Sequence, residues 1–258
     1  MHFIRQGSGK PILLVHGLGA TWRSWEPILP GLQAQREVIA VDLPGFGETP
    51  PLPGEVSIAT LADALTSFLR EQHLLDVDTV GSSMGARLVL ELVRRAVGGT
   101  AVALDPGGFW SPGERRFFGL SVRASIGLVR RLQPILPVLT GNAVGRTLLL
   151  SQFSARPWAL PADLVLRELR GYAHSPSLDA ALDSLIHGPT QGGAPSGTFA
   201  SPVIIGWGRQ DRVCLPRQAA RAKDLFPDAT VHWFDKCGHF PMWDQPKETL
   251  DLVLRSTA

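Results

Sequence analysis

Gly81-Ser82-Ser83-Met84-Gly85 has G-x-S-x-G spacing and stands between a short apolar run and an amphipathic helical pattern. That setting makes Ser83 a candidate nucleophile. A serine hydroxyl attacks only when a base takes its proton and donors accept the negative oxygen that forms. A tight strand-to-helix turn serves both needs. It lifts the hydroxyl clear of the backbone and aims the positive end of a helix at the reacting carbonyl. Gly81 and Gly85 leave the space such a turn requires. Ser82 occupies an x position, where a side chain points away from the site.

Among seven histidines, His239 is best placed to be the base. It lies in Asp235-Lys236-Cys237-Gly238-His239-Phe240, directly after an apolar run, and so in a loop at the same sheet edge as Ser83. His73, His174, His187 and His232 fall on helical patterns, in a central insertion or within a strand, and are expected at the surface or in packing. An imidazole base needs a carboxylate to fix its tautomer and stabilise its charged form. Asp211 follows Val203-Ile204-Ile205 through Gly206-Trp207-Gly208-Arg209-Gln210 and precedes His239 in the chain. Asp105, at the end of another apolar run, is the main rival, and the flanking pattern favours Asp211. Two backbone N–H groups are expected to hold the oxyanion, from Met84 and from Leu18 in His16-Gly17-Leu18-Gly19. His16 and Asp42 are expected to brace loops.

These residues need a scaffold that brings distant positions together. Pro11–Val15, Val38–Val41, Val77–Val80, Thr100–Leu104, Pro202–Gly206 and Thr230–Phe234 are short apolar runs, most of them closed by Gly, Asp or His-Gly. They predict buried strands of a parallel sheet. Ile58–Glu71, Met84–Val97, Pro216–Leu225 and Gln245–Arg255 predict helices between and after them. From Ser111 to Phe199 the chain shows helices without strands and ends in a loop-forming stretch, Gly188–Gly197. The expected organisation is an α/β core from 1–110 and 200–258, with a helical cap from 111–199 inserted late in the sheet.

Composition narrows the function. Hydrophobic residues make up 44% and charged residues 19%, enough for a large core. A net charge of +2 with no long Lys/Arg run argues against a nucleic-acid partner. Two cysteines make no disulfide framework, and the amino-terminal residues show no signal-peptide pattern, so the expected compartment is the cytoplasm. Arg, Gly and Pro break every apolar stretch short of a membrane span, so no stable membrane insertion is expected. Gly7-Ser8-Gly9-Lys10 lacks the strand and spacing of a phosphate loop. His232, Asp235, Cys237 and His239 do not have the placement of a metal site, and no metal is expected.

Four segments together resemble the α/β-hydrolase superfamily: His16-Gly17-Leu18-Gly19; Asp42-Leu43-Pro44-Gly45-Phe46-Gly47; Gly81-Ser82-Ser83-Met84-Gly85; and Gly206–Asp211 with Gly238-His239-Phe240-Pro241. The resemblance covers nearly the whole chain outside the insertion. It implies an α/β-hydrolase fold: a mostly parallel central sheet flanked by helices, with the insertion as a helical cap. The most similar branch holds carboxylesterases, carbon–carbon bond hydrolases of aromatic ring cleavage and cofactor-free haloperoxidase-like enzymes. It implies no metal or organic cofactor. Haloalkane dehalogenases and epoxide hydrolases carry Asp where this chain has Ser83, which disfavours those chemistries. Ala86 replaces a glycine common after the elbow, a tolerable change. The chain starts close to the family's second strand, so the earliest strand of larger relatives is expected to be missing.

The resulting expectation is a serine esterase acting on small to medium apolar or aromatic esters through an acyl-enzyme. Carbon–carbon hydrolysis with the same triad is the alternative, and a non-turnover ligand receptor on the same fold the less favoured one. Phe117, Phe118, Phe153 and Trp158 of the cap are expected to line an apolar pocket.

Overall fold

A computed structural model describes residues 1–258. Its centre is one seven-stranded sheet. The strands are β1 (Phe3–Gln6), β2 (Pro11–Val15), β3 (Glu37–Val41), β4 (Asp78–Ser82), β5 (Ala101–Leu104), β6 (Val203–Gly208) and β7 (Thr230–Phe234). Their spatial order is β1-β3-β2-β4-β5-β6-β7, parallel throughout except for β1. This is the α/β-hydrolase fold.

Each expected parallel strand forms, within one to two residues of its apolar run. Side chains alternate between the two faces, and both faces are covered. Leu13, Val15, Ile39, Val41, Ala103 and Ile205 join one core with α2 (Ile58–Glu71) and α3 (Met84–Arg94). Ile12, Leu14, Val38, Ala40, Val102 and Ile204 join the other. There they meet α1 (Leu29–Gln33) and, from the carboxyl-terminal end, α10 (Pro241–Asp244) and α11 (Pro246–Ser256). Helix α9 (Gln218–Leu225) connects β6 to β7.

Strand β1 is the element that the patterning does not signal. Phe3-Ile4-Arg5-Gln6 has two adjacent apolar residues and no alternation, and it pairs only with β3, antiparallel, with Phe3 opposite Val41. Arg5 on this edge forms an ion pair with Glu37 at 2.8 Å, a charge that discourages pairing with another chain. Helix α3 also ends earlier than expected, at Arg94, and Ala96 takes a left-handed φ of 53°.

Between β5 and β6 the chain contains helices only: α4 (Pro112–Leu132), α5 (Leu136–Thr140), α6 (Ala143–Leu150), α7 (Ala162–His174) and α8 (Leu178–His187). Ser111 and Glu114 cap the start of α4 reciprocally. The stretch expected as loop, Gly188–Gly197, carries no helix or strand. No helix is long and apolar enough to cross a membrane.

Parallel pairing has one consequence for function. The register sets Val15 beside Gly81, Ser82 beside Leu104, Leu104 beside Gly206 and Gly208 beside Phe234. The carboxyl ends of five strands therefore share one edge, and the loops leaving them carry His16, Ser83, Asp105, Asp211 and His239.

A buried ion pair fixes the opposite edge. Arg36 Nη2 meets Asp78 Oδ2 at 2.6 Å, and Asp78 Oδ1 accepts the Thr100 N–H at 2.8 Å. Arg36 also donates to Lys10 O at 2.8 Å and to Thr257, which ties the carboxyl terminus to the sheet. Removing one partner leaves a buried, unpaired charge. Asp78→Ala is expected to lower unfolding stability by about 3 kcal/mol or more in urea titration; a change within about 0.5 kcal/mol, the size of an ordinary surface substitution, contradicts this role.

Candidate active site

Ser83 joins β4 directly to α3, with φ 56° and ψ −114°. A non-glycine residue held there stores backbone strain, which persists only where its surroundings impose it. Gly81 and Gly85 make the turn possible by close approach: a methyl on Gly81 would lie 2.3 Å from Gly85 O. The Ser83 side chain points out of the turn, while Ser82 is fully buried.

His239 sits against this turn. Its Nε2 lies 2.8 Å from Ser83 Oγ, and its Nδ1 lies 2.8 Å from Asp211 Oδ2. A carboxylate offers only lone pairs, so Nδ1 carries the proton and Nε2 accepts the Ser83 hydroxyl. Asp211 Oδ1 accepts the N–H groups of Val213 (2.7 Å) and Cys214 (3.1 Å), which leaves Oδ2 for the imidazole. The His239 N–H donates to Phe153 O at 2.7 Å. Both loops are stitched together: Gln210 N–H donates to Cys237 O, and Cys237 N–H donates to Gln210 Oε1 at 2.8 Å.

Asp244 holds the histidine loop from behind. Its carboxylate accepts from Gly238 N–H (2.7 Å), Ala155 N–H (2.8 Å) and Ser154 Oγ (2.5 Å). Sequence reasoning missed this residue. It lies in a four-residue helix, and two of its three partners, Ser154 and Ala155, are 90 and 89 positions away, so no local pattern marks it.

Asp105, the rival carboxylate, is placed close by but bonded differently. Its Oδ1 accepts the Gly208 N–H at 2.8 Å, and its other oxygen is buried without a protein partner. Burial first, and the neighbouring Asp211 charge second, hold it well above the usual carboxylate range. The charged form of Asp105 is thus disfavoured beside Asp211, and Asp211 is the group that bonds the imidazole.

The loop after β2 abuts the serine: a methyl on Gly17 would lie 3.1 Å from Ser83 Cβ. Leu18 N–H makes no backbone hydrogen bond there, and Met84 N–H is among the first donors of α3, which a helix leaves free. His16, fully buried, has its pKa lowered by burial and braces the loop. Its Nδ1 bonds Gly17 O at 2.7 Å and its Nε2 accepts Leu43 N–H at 3.0 Å. Asp42 accepts from Trp22 N–H and Glu48 N–H.

The expected pocket residues separate. Phe153 lines an apolar cavity with Leu150, Val165, Tyr172, Phe240 and Trp243, next to His239. Phe118 is buried against Trp110, ring centres 4.7 Å apart. Phe117 and Trp158 are corrections, each more than half exposed on the outer surface. On α4 the inward stripe is Phe118, Val122, Ile126 and Val129, and Phe117 lies about 100° around the helix from it. Trp158 sits in a short turn whose buried member is Pro157. Tyr172 was missed, although Val165, Leu169 and Tyr172 have helical spacing that marks one face of α7.

Glu168 on α7 faces both this cavity and an adjoining opening of about 180 Å³ between the Gly19–Arg23 loop and Gly171. Burial pushes its carboxyl up to about 8; Arg167 pulls it down and Glu26 pushes it up by lesser amounts.

His232 pairs with Glu248, and Asp235 with Arg209, so neither turns toward His239. Cys214 lies within 4.8 Å of Asp211 and His239. Burial keeps its thiol protonated well above the ordinary range, which is unsuited to a metal ligand.

Comparison with known proteins agrees with the architecture. Residues 12–252 match the model of the alpha/beta hydrolase family, and the chain belongs to that family. An uncharacterized protein of Mycobacterium tuberculosis is 28% identical over 96% of this chain and 75% of its own length. The 2-hydroxy-6-oxo-2,4-heptadienoate hydrolase of Pseudomonas putida is 27% identical over 96% of this chain and 88% of its own. A thermophilic esterase from Thermogutta terrifontis superposes with a TM-score of 0.77 at 20% identity, covering 98% of this chain and 91% of its own.

The Glu168 carboxyl binds its proton more tightly folded (about 8) than unfolded (4.5). The folded state therefore holds the extra proton between these values, and stability falls as pH rises through that window. Glu168→Gln removes the dependence. Its stability relative to the wild type is expected to climb between pH 5 and pH 8.5, by on the order of 3 kcal/mol in urea titrations. A difference that stays constant with pH contradicts the buried neutral acid.

Proposed function

We propose that this member of the alpha/beta hydrolase family is a serine hydrolase of small-molecule carboxylic esters, with Ser83 as nucleophile, His239 as general base and Asp211 as its orienting acid. The observation that carries this reading is the unbroken hydrogen-bond chain from Asp211 through His239 to Ser83, each link 2.8 Å, ending on a serine held at φ 56°.

The chemistry follows from those atoms. Ser83 Oγ attacks the ester carbonyl as its proton passes to His239 Nε2, and the carbonyl π electrons move onto oxygen. The N–H groups of Leu18 and Met84 stabilise that oxygen, assisted by the positive end of α3. Asp211 stabilises the imidazolium without taking its proton. The tetrahedral centre collapses, the ester C–O bond breaks and the imidazolium protonates the leaving alkoxide. A water then gives a proton to His239 and attacks the acyl-enzyme, the proton returns to Ser83 Oγ, and the acid leaves. Each step balances with the chain's own groups.

Residues 111–199 act in this reading as a cap. Phe153 and Tyr172, with Phe240 and Trp243 from the core, supply an apolar wall, and Glu168 the polar group within it. The space they enclose is about 10 Å³, so an apolar or aromatic acyl group suits that wall only once these side chains move apart. A second reading has a specific support: the P. putida relative named for a dienoate substrate, 27% identical along nearly the whole chain. Carbon–carbon cleavage would use the same serine and histidine. The two cysteines are both buried and unpaired, which suits the reducing cytoplasm.

Ser83→Ala tests the core of this proposal. The folded variant is expected to lose turnover of a p-nitrophenyl acyl ester by about 10³-fold or more; turnover near the wild-type rate rejects Ser83 as nucleophile. Comparing kcat/KM for that ester and for a 2-hydroxy-6-oxo-dienoate separates the two readings. A higher value for the dienoate turns the assignment to carbon–carbon hydrolysis.

A further inference from the structure

The helices outside the site carry an unusual surface. Ten large apolar side chains are substantially exposed, and eight of them fall between residues 117 and 158. Leu120, Val138, Val144 and Leu148 are 64–74% exposed. Isolated exposed leucines are ordinary, but this concentration in one segment is not.

These residues lie on three helices and the turns between and after them. On α4, Phe117, Leu120, Ala124 and Leu128 recur every three or four residues, opposite the buried stripe. A methyl added at Gly113 or Gly127 would meet nothing within 4 Å, so those positions are open as well. Val144 and Leu148 are one turn apart on the outer side of α6. Gln152, just past α6, bonds Ser121 and Ser125 of α4 at 2.8 and 2.9 Å. Arg146 of α6 donates to Thr140 O and Trp158 O. These bonds tie the segment of α6 to α4 and to α5.

Charge distinguishes the same unit. Residues 111–160 contain seven arginines and one acidic residue, Glu114, whereas the rest of the chain has eighteen basic and twenty-two acidic residues. Glu114 is occupied by Arg217 and Arg221, from outside the segment. Arg123 and Arg130 pair with Asp183 and Asp179 of α8, at exposed sites where such pairs contribute little. Arg116, Arg131 and Arg156 are exposed and have no carboxylate partner.

We propose that the outer face of α4–α6 docks onto the surface of a phospholipid bilayer containing anionic headgroups. Exposed apolar side chains interspersed in the sequence with unpaired guanidinium groups match that partner: the former enter the headgroup–acyl boundary and the latter bond phosphate oxygens. A second copy of the chain fits the face poorly, since two-fold pairing would set one arginine-rich surface against another. Docking would be peripheral, since no helix here is long and apolar enough to cross a membrane. It would bring lipophilic esters close to α6, whose Leu150 lines the cavity beside His239; only this last link rests on the proposed function.

Co-sedimentation of the full chain with vesicles tests the proposal without turnover. Vesicles of phosphatidylcholine with phosphatidylglycerol are expected to bind the wild type at least tenfold more strongly than pure phosphatidylcholine vesicles, and 0.5 M NaCl to weaken the binding. The Leu120→Glu/Val144→Glu/Leu148→Glu and Arg116→Glu/Arg131→Glu variants, checked for unchanged thermal unfolding, are each expected to lose it by about tenfold. Wild type remaining in the supernatant overturns the proposal, as does equal binding by the variants. A wild-type dimer in light scattering that the triple variant makes monomeric also overturns it and assigns the face to a second copy.

Discussion

One imidazole, buried to about 1% exposure, has both ring nitrogens committed, and much of the molecule exists to hold it there. A buried histidine without partners would cost several kcal/mol or lose its charged form entirely. Here Nδ1 faces a carboxylate and Nε2 a hydroxyl, while the backbone N–H is tied to Phe153. The parallel register brings the two loops and the serine turn to one edge. Asp244 fixes the histidine loop, and the N–H groups of Val213 and Cys214 fix Asp211. Shifting any strand by one residue would turn its side chains to the opposite face and break this convergence.

Much of this was legible in the chain because the chemistry is local in sequence even where it is distant in space. Ser83 lies in a five-residue turn whose glycines are required by backbone approach. Asp211 and His239 each follow a clear apolar strand. The six parallel strands were readable because burial on both faces makes each a short unbroken apolar run. Strand β1 was not, because an edge strand needs neither a continuous run nor strict alternation. The choice between Asp105 and Asp211 rested on flanking residues alone. The structure separates them by bonding, since both are buried at the same edge.

Side-chain direction in the helical segment was harder to read. Phe117 and Phe118 are adjacent, but only one can face inward on a helix, and composition does not say which. Trp158 lies in a single short turn with no period to extrapolate. The polar residue of the cavity, Glu168, and the support from Asp244 depend on contacts between elements that no local pattern encodes. Helix α6 has two sides: Leu150 lines the apolar cavity, while Val144 and Leu148 stay exposed. The segment from 111 to 160 also carries a net charge opposite in sign to the remainder of the chain.

The central claim is that the Asp211–His239–Ser83 alignment activates one hydroxyl out of all those in the chain. Covalent trapping with a fluorophosphonate, read by intact mass and peptide mapping, tests this most directly. The account predicts a single adduct on Ser83, strongly slowed in His239→Ala. Labelling at another residue, or labelling of Ser83 at the same rate without the histidine, would contradict it.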